Sequence, residues 1–226
     1  MVAAAANPFV IGLYTPAEAA RLVRSTPEAV ARWVMGDERR TPVIKAELGR
    51  SRTKVLTFRD LIQSRAIREI RFRTVPLVRI REAISVAQRS YGVEHPLSYK
   101  HRLFSLGKSI LLELESRDLV QITKPNRHQY VMKLMVQTYM DEIKFDDQGR
   151  ARRWTLLREG ELSIDVDPKI RLGQPVVTPG DILADALADA AVSEGSIEAA
   201  ADAYETRPEA VRLALRYQQQ FSGLVA

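Results

Sequence analysis

The sequence predicts an α+β protein, mostly helical, divided into residues 8–92, 93–160 and 161–226. Three observations carry that division. Apolar residues recur at helical spacing behind capping residues in both end regions, the middle switches to short alternating runs, and the charge reverses sign along the chain.

The first helices are the best marked. Residues 15–35 read TPAEAARLVRSTPEAVARWVM, in which Thr15 caps a helix, Pro16 takes its first position and Glu18 completes a capping box. Ala19, Ala20 and Val23 form its apolar stripe. Ser25 and Thr26 break it, and Thr26–Pro27 starts a second helix that turns Val30, Trp33 and Val34 inward. Gly36 is placed to end it with positive φ. Two short helices around a tight turn, with small Ala20 at the crossing, describe a helix-turn-helix. From Arg39 to Phe58 two β-branched runs, Val43–Ile44 and Val55–Thr57, flank a polar tip at Gly49 and predict a hairpin wing.

Two longer helices follow. Phe58, Leu61, Ile62, Ala66 and Ile70 recur at helical spacing. Behind Pro76, Leu77, Ile80, Ile84, Ala87 and Tyr91 are spaced three, four, three and four. That second stripe is read two ways, as a seam pairing two copies of the chain or as the core-facing side of one. In the middle, Leu103–Leu106, Ile110–Leu114 and Leu119–Ile122 suggest strands and Tyr130–Met140 a helix. Ile143–Phe145 and Arg153–Leu157 flank a turn at Asp147–Gly149 and suggest a hairpin.

The last region opens with an irregular connector from about Ser163. Asp181 is then expected to cap a helix over Ile182–Val192, followed by Ile197–Tyr204 and Glu209–Gln219 behind Pro208. This end echoes the beginning at an offset of 181 residues: Ala19–Ala20 match Ala200–Ala201, and Pro27–Val30 match Pro208–Val211.

Bulk properties limit the function classes. With 226 residues, 46% hydrophobic and 27% charged, the chain can bury a core. No apolar run approaches the roughly 18 residues of a membrane span, and Met1–Ala6 is too short for a signal peptide and lacks a basic start, so it reads as a frayed tail. The absence of cysteine removes disulfides, thiolate metal sites and cysteine nucleophiles, and fits a reducing cytoplasm. Residues 1–160 hold 29 Lys and Arg against 17 Asp and Glu, an excess of 12. Residues 161–226 hold 5 against 11, a deficit of six, which leaves the net +6. A basic front suits a polyanion and an acidic rear does not.

The candidate nucleic-acid residues therefore lie at the front: Pro27 and Arg32 on the second helix, with Arg32 turned to solvent to reach a base edge. Arg39, Arg40, Lys45, Arg50, Arg52 and Lys54 follow it to neutralise phosphates. At the rear, Glu198, Asp202, Glu205 and Glu209 would repel a phosphate backbone, so that unit is expected to bind protein. Arg207, Arg212 and Arg216 supply a minor basic stripe for a carboxylate-lined partner, and Arg171 is a further candidate contact. Enzymatic readings find little support. His95, His101 and His128 lack metal-site spacing, Asp181, Asp185 and Asp189 align on one helix face as solvated charges, and no phosphate loop or nucleophile elbow occurs. No enzyme activity and no cofactor are expected.

Taken together, YTPAEAARLVRSTPEAVARWV with RRTPVI and VLTFRDL resembles a MerR-like winged helix. SIDVDPKIRLGQPVV, DILADAL and GSIEAAADAYETRPEAVRLALRYQ resemble a small helical domain common in bacterial toxin–antitoxin operons. The combination resembles the larger VapB-type antitoxins, with a mycobacterial member as the nearest match. That resemblance implies a cytoplasmic homodimer that binds and silences a PIN-like ribonuclease toxin and represses its own operon through double-stranded operator DNA. The alternative is a MerR-like transcription factor with a small-molecule pocket in its middle region. Asp167–Val177 is the most diagnostic stretch. Relatives usually continue with a Gly-Thr-Arg-Ile-Pro-like segment, whereas here Thr178–Pro179–Gly180–Asp181 follows, so the role of that segment's arginine has no carrier.

Overall fold

The structure is a computed structural model that describes residues 12–37, 40–49, 55–72, 76–91, 95–98 and 141–222. Its front begins with a short strand β1 (Leu13–Tyr14) and the helices α1 (Pro16–Val23) and α2 (Pro27–Met35). Both are built by the expected local chemistry. Thr15 N–H donates to the Glu18 carboxylate (2.7 Å), Glu18 N–H returns to Thr15 Oγ1 (3.2 Å), and Ala29 N–H donates to Thr26 Oγ1 (3.2 Å). Ala19, Ala20, Val23, Val30, Trp33 and Val34 are buried. Gly36 ends α2 at φ 73°, where a Cβ would stand 2.6 Å from the Arg40 carbonyl oxygen, so no other residue fits without moving the backbone.

The expected wing is not formed from the runs that suggested it. Val43 and Ile44 lie outside any strand; their N–H groups both donate to the Trp33 carbonyl, at 2.7 and 3.1 Å, satisfying an acceptor at the end of α2. Strand β2 (Leu56–Thr57) instead pairs antiparallel with β1, Leu13 opposite Thr57 and Tyr14 opposite Leu56. The rest of the predicted wing, 50–54, lies outside the described residues.

Helix α3 (Phe58–Phe72) buries Phe58, Leu61, Ile62, Ala66 and Ile67, and α4 (Leu77–Tyr91) packs beside it. Ile80 and Ile84 are buried in the chain's own front core and Leu77 packs half-buried against it, as the core-facing reading of the stripe expects. The side chains of Ala87 and Tyr91 lie outside the described residues, as do the strands and helix expected over 103–140.

The middle and rear share one sheet. Strands β3 (Ile143–Phe145), β4 (Ala151–Glu159), β5 (Leu162–Val166), β6 (Val176–Thr178) and β7 (Ile182–Leu183) run in sequence order, all antiparallel. The β3–β4 hairpin is the one the sequence predicts. The sheet crosses the expected boundary at 160/161, which falls in the β4–β5 turn. Part of the expected connector is therefore strand, and the apolar residues along one face of the sheet are divided between two cores. Ile143, Trp154 and Val166 join the front core, while Leu162, Ile164 and Val177 join a rear core.

That rear core is completed by α5 (Ala184–Ser193), α6 (Ile197–Ala203) and α7 (Pro208–Ser222). Asp181 does not cap α5. It occupies a turn at φ 52° beside the cis Thr178–Pro179 bond, Ile182–Leu183 pair with β6, and the helix starts two residues later. The internal echo, by contrast, is present in the backbone. Ser196 caps α6 as Thr15 caps α1, and Arg24 and Glu205, 181 residues apart, both take left-handed conformations, at φ 56° and 49°. Ser25 N–H donates to Ala20 O and Thr206 N–H to Ala201 O, each at 2.9 Å.

Candidate nucleic-acid interface

Helix α2 presents Glu28 exposed and Pro27 and Arg32 half-buried, so Arg32 stands less free of the surface than its helical phase suggested. The segment after it is anchored from α4. Arg81 donates through Nε to the Pro42 carbonyl (3.2 Å) and through Nη2 to the Thr41 carbonyl (2.9 Å). Nothing in the sequence singles out Arg81, because its acceptors are main-chain atoms about 40 residues away. Arg40 and Lys45 are exposed on this segment. Arg39, Arg50, Arg52 and Lys54 lie outside the described residues.

Glu47 and Thr57 meet at a buried carboxylate. Asp60 is fully buried and accepts from Glu47 N–H (3.2 Å) and Thr57 N–H (3.1 Å), while its own N–H donates to Thr57 Oγ1 (3.2 Å). Thr57 Oγ1 in turn donates to Glu47 (2.6 Å), and Arg59 pairs with Glu47 (2.8 Å). Burial pushes the Asp60 carboxyl up to about 6, with the Glu47 charge adding to it and the N–H donors opposing it. A carboxyl raised on folding favours the native state most below its unfolded pKa and loses that advantage as pH rises through the folded value. Two units are worth about 3 kcal/mol. Between pH 4 and 7, where the unfolded carboxyl is already partly ionised at the lower limit, the stability of Asp60→Asn, measured by urea unfolding, should therefore gain about 2 kcal/mol relative to the parent chain. A pH-independent difference between the two would refute this account of the site.

A second basic group was missed from sequence because its members are scattered. Arg68 donates through Nε to the carbonyl of Arg24, the turn residue between α1 and α2 (3.4 Å). Burial, with Arg65 and Arg24 beside it, holds the Arg68 guanidinium below the usual arginine range. Glu69 takes a share of this charge from both Arg65 and Arg68, and Arg65 reaches Glu142 (3.4 Å), whose carboxylate also accepts from Trp154 Nε1 (3.3 Å).

At the rear, Glu198, Asp202, Glu205 and Glu209 are all exposed, as expected. Arg212 pairs with Glu209 (3.1 Å) and Glu198 (3.4 Å), Arg216 pairs with Glu159, and Arg171 donates to the Asp181 carbonyl (3.4 Å). Arg207 is exposed and carries no such pair among the described residues. The offset that aligns the two helix pairs puts Leu213, fully buried, where Arg32 stands. Helix α7 lies against β5, β6 and α1, so its inner face is covered.

Other expectations resolve into structural roles. His95 is buried and hydrogen-bonded through Nδ1 to Gln63 Nε2 (3.2 Å); His101 and His128 lie outside the described residues. Asp185 pairs with Arg21 at 2.5 Å and Asp189 accepts from Gln218 at 3.0 Å, so two of the three stripe aspartates, read as solvated, serve internal contacts. Among the described residues no cluster of three or more His, Cys, Asp or Glu could hold a metal, and no helix is long and apolar enough to cross a membrane.

No protein-family profile matches the chain. A curated protein of Mycobacterium tuberculosis named "Putative antitoxin VapB45" is 29% identical over 231 residues, covering 92% of this chain and 94% of that protein. The chain is similar to a VapB-type antitoxin. The likeness read from both ends of the sequence thus extends through the middle. The crystal structure of Rv2018 from Mycobacterium tuberculosis superposes with a TM-score of 0.66 at 22% identity, over 89% of this chain and 96% of that one, so the two share a fold.

The stretch singled out from the sequence, Asp167–Val177, has a clear architectural part. Asp167 is buried, accepting from Arg153 Nε (3.2 Å) and Lys169 N–H (2.9 Å). Arg153 also reaches Asp165 (3.4 Å), which accepts from Thr155 (2.7 Å) and Ser163 (3.0 Å). Gly173 receives the Tyr14 hydroxyl on its carbonyl oxygen at 2.8 Å. The residues conspicuous in the sequence thus join the rear sheet to β1.

Proposed function

We propose that the chain is the antitoxin of a type II toxin–antitoxin pair, binding a PIN-like ribonuclease toxin and repressing its own operon. The observation that carries this reading is the end-to-end likeness to a mycobacterial protein named as a VapB antitoxin, which covers nearly all of both chains. In this reading α1 and α2 act as a DNA-binding helix-turn-helix. Pro27 and Arg32 lie at the groove, and Arg39, Arg40, Lys45, Arg50, Arg52 and Lys54 lie along the phosphates, in a dimer seated on two half-sites. The absence of cysteine suits a cytoplasmic setting.

The rear unit is assigned to the toxin on electrostatic grounds. Its exposed face is acidic, and its second helix is packed against the sheet instead of standing free for a groove. Arg207 is the best placed of the rear arginines to enter a partner's acidic metal site, since Arg171, Arg212 and Arg216 already have internal partners. A guanidinium there would take the place of the cation that the nuclease needs.

Co-expression with the neighbouring reading frame tests the toxin half: growth should recover, and continued arrest despite abundant antitoxin would rule the pairing out. The DNA half is tested with the purified full chain and the duplex upstream of its gene. About four neutralised phosphates give a slope of log affinity on log salt near −3.6, or roughly a hundred-fold loss between 50 and 200 mM. Binding that ignores salt, or none at 50 mM, would end this half of the reading.

A further inference from the structure

The front helix pair is gripped at its turn by the rear helical unit. Arg21 on α1 pairs with Asp185 on α5 (2.5 Å) and lies 5.2 Å from the centre of the Tyr217 ring on α7. Three residues on, Arg24 lies 4.5 Å from the Phe221 ring and donates to Gln220 (3.3 Å). Arg24 is itself the left-handed residue joining α1 to α2, so what holds it holds the turn. Tyr14, one residue ahead of the α1 cap, is tied to Gly173.

These contacts differ in kind from the packing beneath them. The front core and the sheet meet through Trp154, Ile143 and Val166, an apolar contact with no directional demand. The grip on α1 is a cation on a carboxylate and cations on two stacked rings, with definite geometry. Helix α7 belongs to both sides. Its Val211, Leu213 and Ala214 are buried in the rear core, and its Tyr217, Gln220 and Phe221 meet α1. A shift of α7 is therefore passed to the turn that sets the direction of α2.

We infer that Arg21 and Arg24, held by Asp185, Tyr217, Gln220 and Phe221, form a latch that fixes the front helix pair on the rear unit, and that duplex binding depends on this latch being closed. The second clause rests on the DNA half of the proposed function; the first does not. Asp185 and Tyr217 are positioning residues: they act through α1 and need not touch DNA.

Asp185→Asn separates the latch from simple electrostatics, because the two predict opposite signs. Removing a negative charge should leave duplex affinity unchanged or improve it. Opening the latch should lower it, about five- to tenfold. The cysteine-free chain also permits a measurement independent of DNA. Spin labels on Ala17→Cys and Val192→Cys, both exposed, report the α1–α5 separation by pulsed electron resonance in the full chain. The parent should give one narrow distance and the Asp185→Asn chain a broad one, with unchanged far-ultraviolet circular dichroism in both. Arg21→Lys, which keeps the charge but not the forked geometry, should give an intermediate width.

A broad parent distribution, or a narrow one in Asp185→Asn, overturns the latch whatever happens with DNA. A broad Asp185→Asn distribution with undiminished affinity keeps the latch but overturns its tie to binding. A parent chain that retains no duplex at 50 mM salt removes the DNA reading and the tie with it, while the distances still decide the latch.

Discussion

Replacing Gly173 with alanine is expected to lower the free energy of unfolding by about 3 kcal/mol, from two separate causes. The residue sits at φ 83°, where any Cβ is strained. That Cβ would also lie 2.2 Å from the Tyr14 hydroxyl oxygen and 3.1 Å from the ring carbon bearing it. Tyr14 is only 4% exposed and its hydroxyl is bonded to the Gly173 carbonyl, so it has no free direction in which to retreat. Tyr14→Phe removes the clashing oxygen. Alone it should cost about 1 kcal/mol for the lost hydrogen bond, but with Gly173→Ala the two losses should sum to less than their separate values. Urea unfolding of the four chains measures this directly. A Gly173→Ala chain within 0.5 kcal/mol of the parent, on the order of the error in such comparisons, would mean that β1 does not dock here.

Tyr217→Ala should cost more, about 3–5 kcal/mol, a large part of the 5–15 kcal/mol that holds a typical domain. The ring is fully buried, stacks at 5.0 Å on Phe221, and supports the Arg21 guanidinium on the side towards α1. Its surroundings also hold the phenol well above its usual pKa, chiefly by burial. Tyr217→Phe keeps the ring and should stay within about 1 kcal/mol of the parent. In a cycle with Arg21→Met the two positions should couple by about 0.5–1 kcal/mol, the range of a partly exposed cation–ring contact. Additive losses would place Tyr217 in the rear core alone.

The local parts of the fold could be read from the sequence, because their causes are local. Thr15, Glu18, Thr26 and Ser196 act on N–H groups three residues away, and Gly36 answers for its own φ. The turn echoed after 181 residues was visible for the same reason. What failed depended on partners far along the chain. Leu56–Thr57 is too short to state a register and found β1 instead of Val43–Ile44. The strands β6 and β7 are three and two residues long and interrupted by Pro179 and Gly180, so their composition matched a connector. Asp185 and Asp189 had the spacing of an outward helix face, and only the tertiary structure supplies Arg21 and Gln218 opposite them. Of the candidate contact residues, Arg40 and Lys45 are exposed as read and Arg32 is half-buried. The guanidinium groups of Arg81, Arg21, Arg24 and Arg68, which organise the same region, have acceptors and rings that no spacing rule reaches.

Both faces of the sheet are committed. One face gives Trp154 and Val166 to one core and Ile164 and Val177 to the other, and the opposite face carries buried Asp165 with Thr155 and Ser163. A gene cut at residue 160 would part β4 from β5, leave each piece with an unzipped ladder, and uncover apolar side chains on both products. Dissection of this chain into a front piece and a rear piece should therefore yield aggregates, and testing the two proposed activities apart calls for point substitutions in the intact polypeptide.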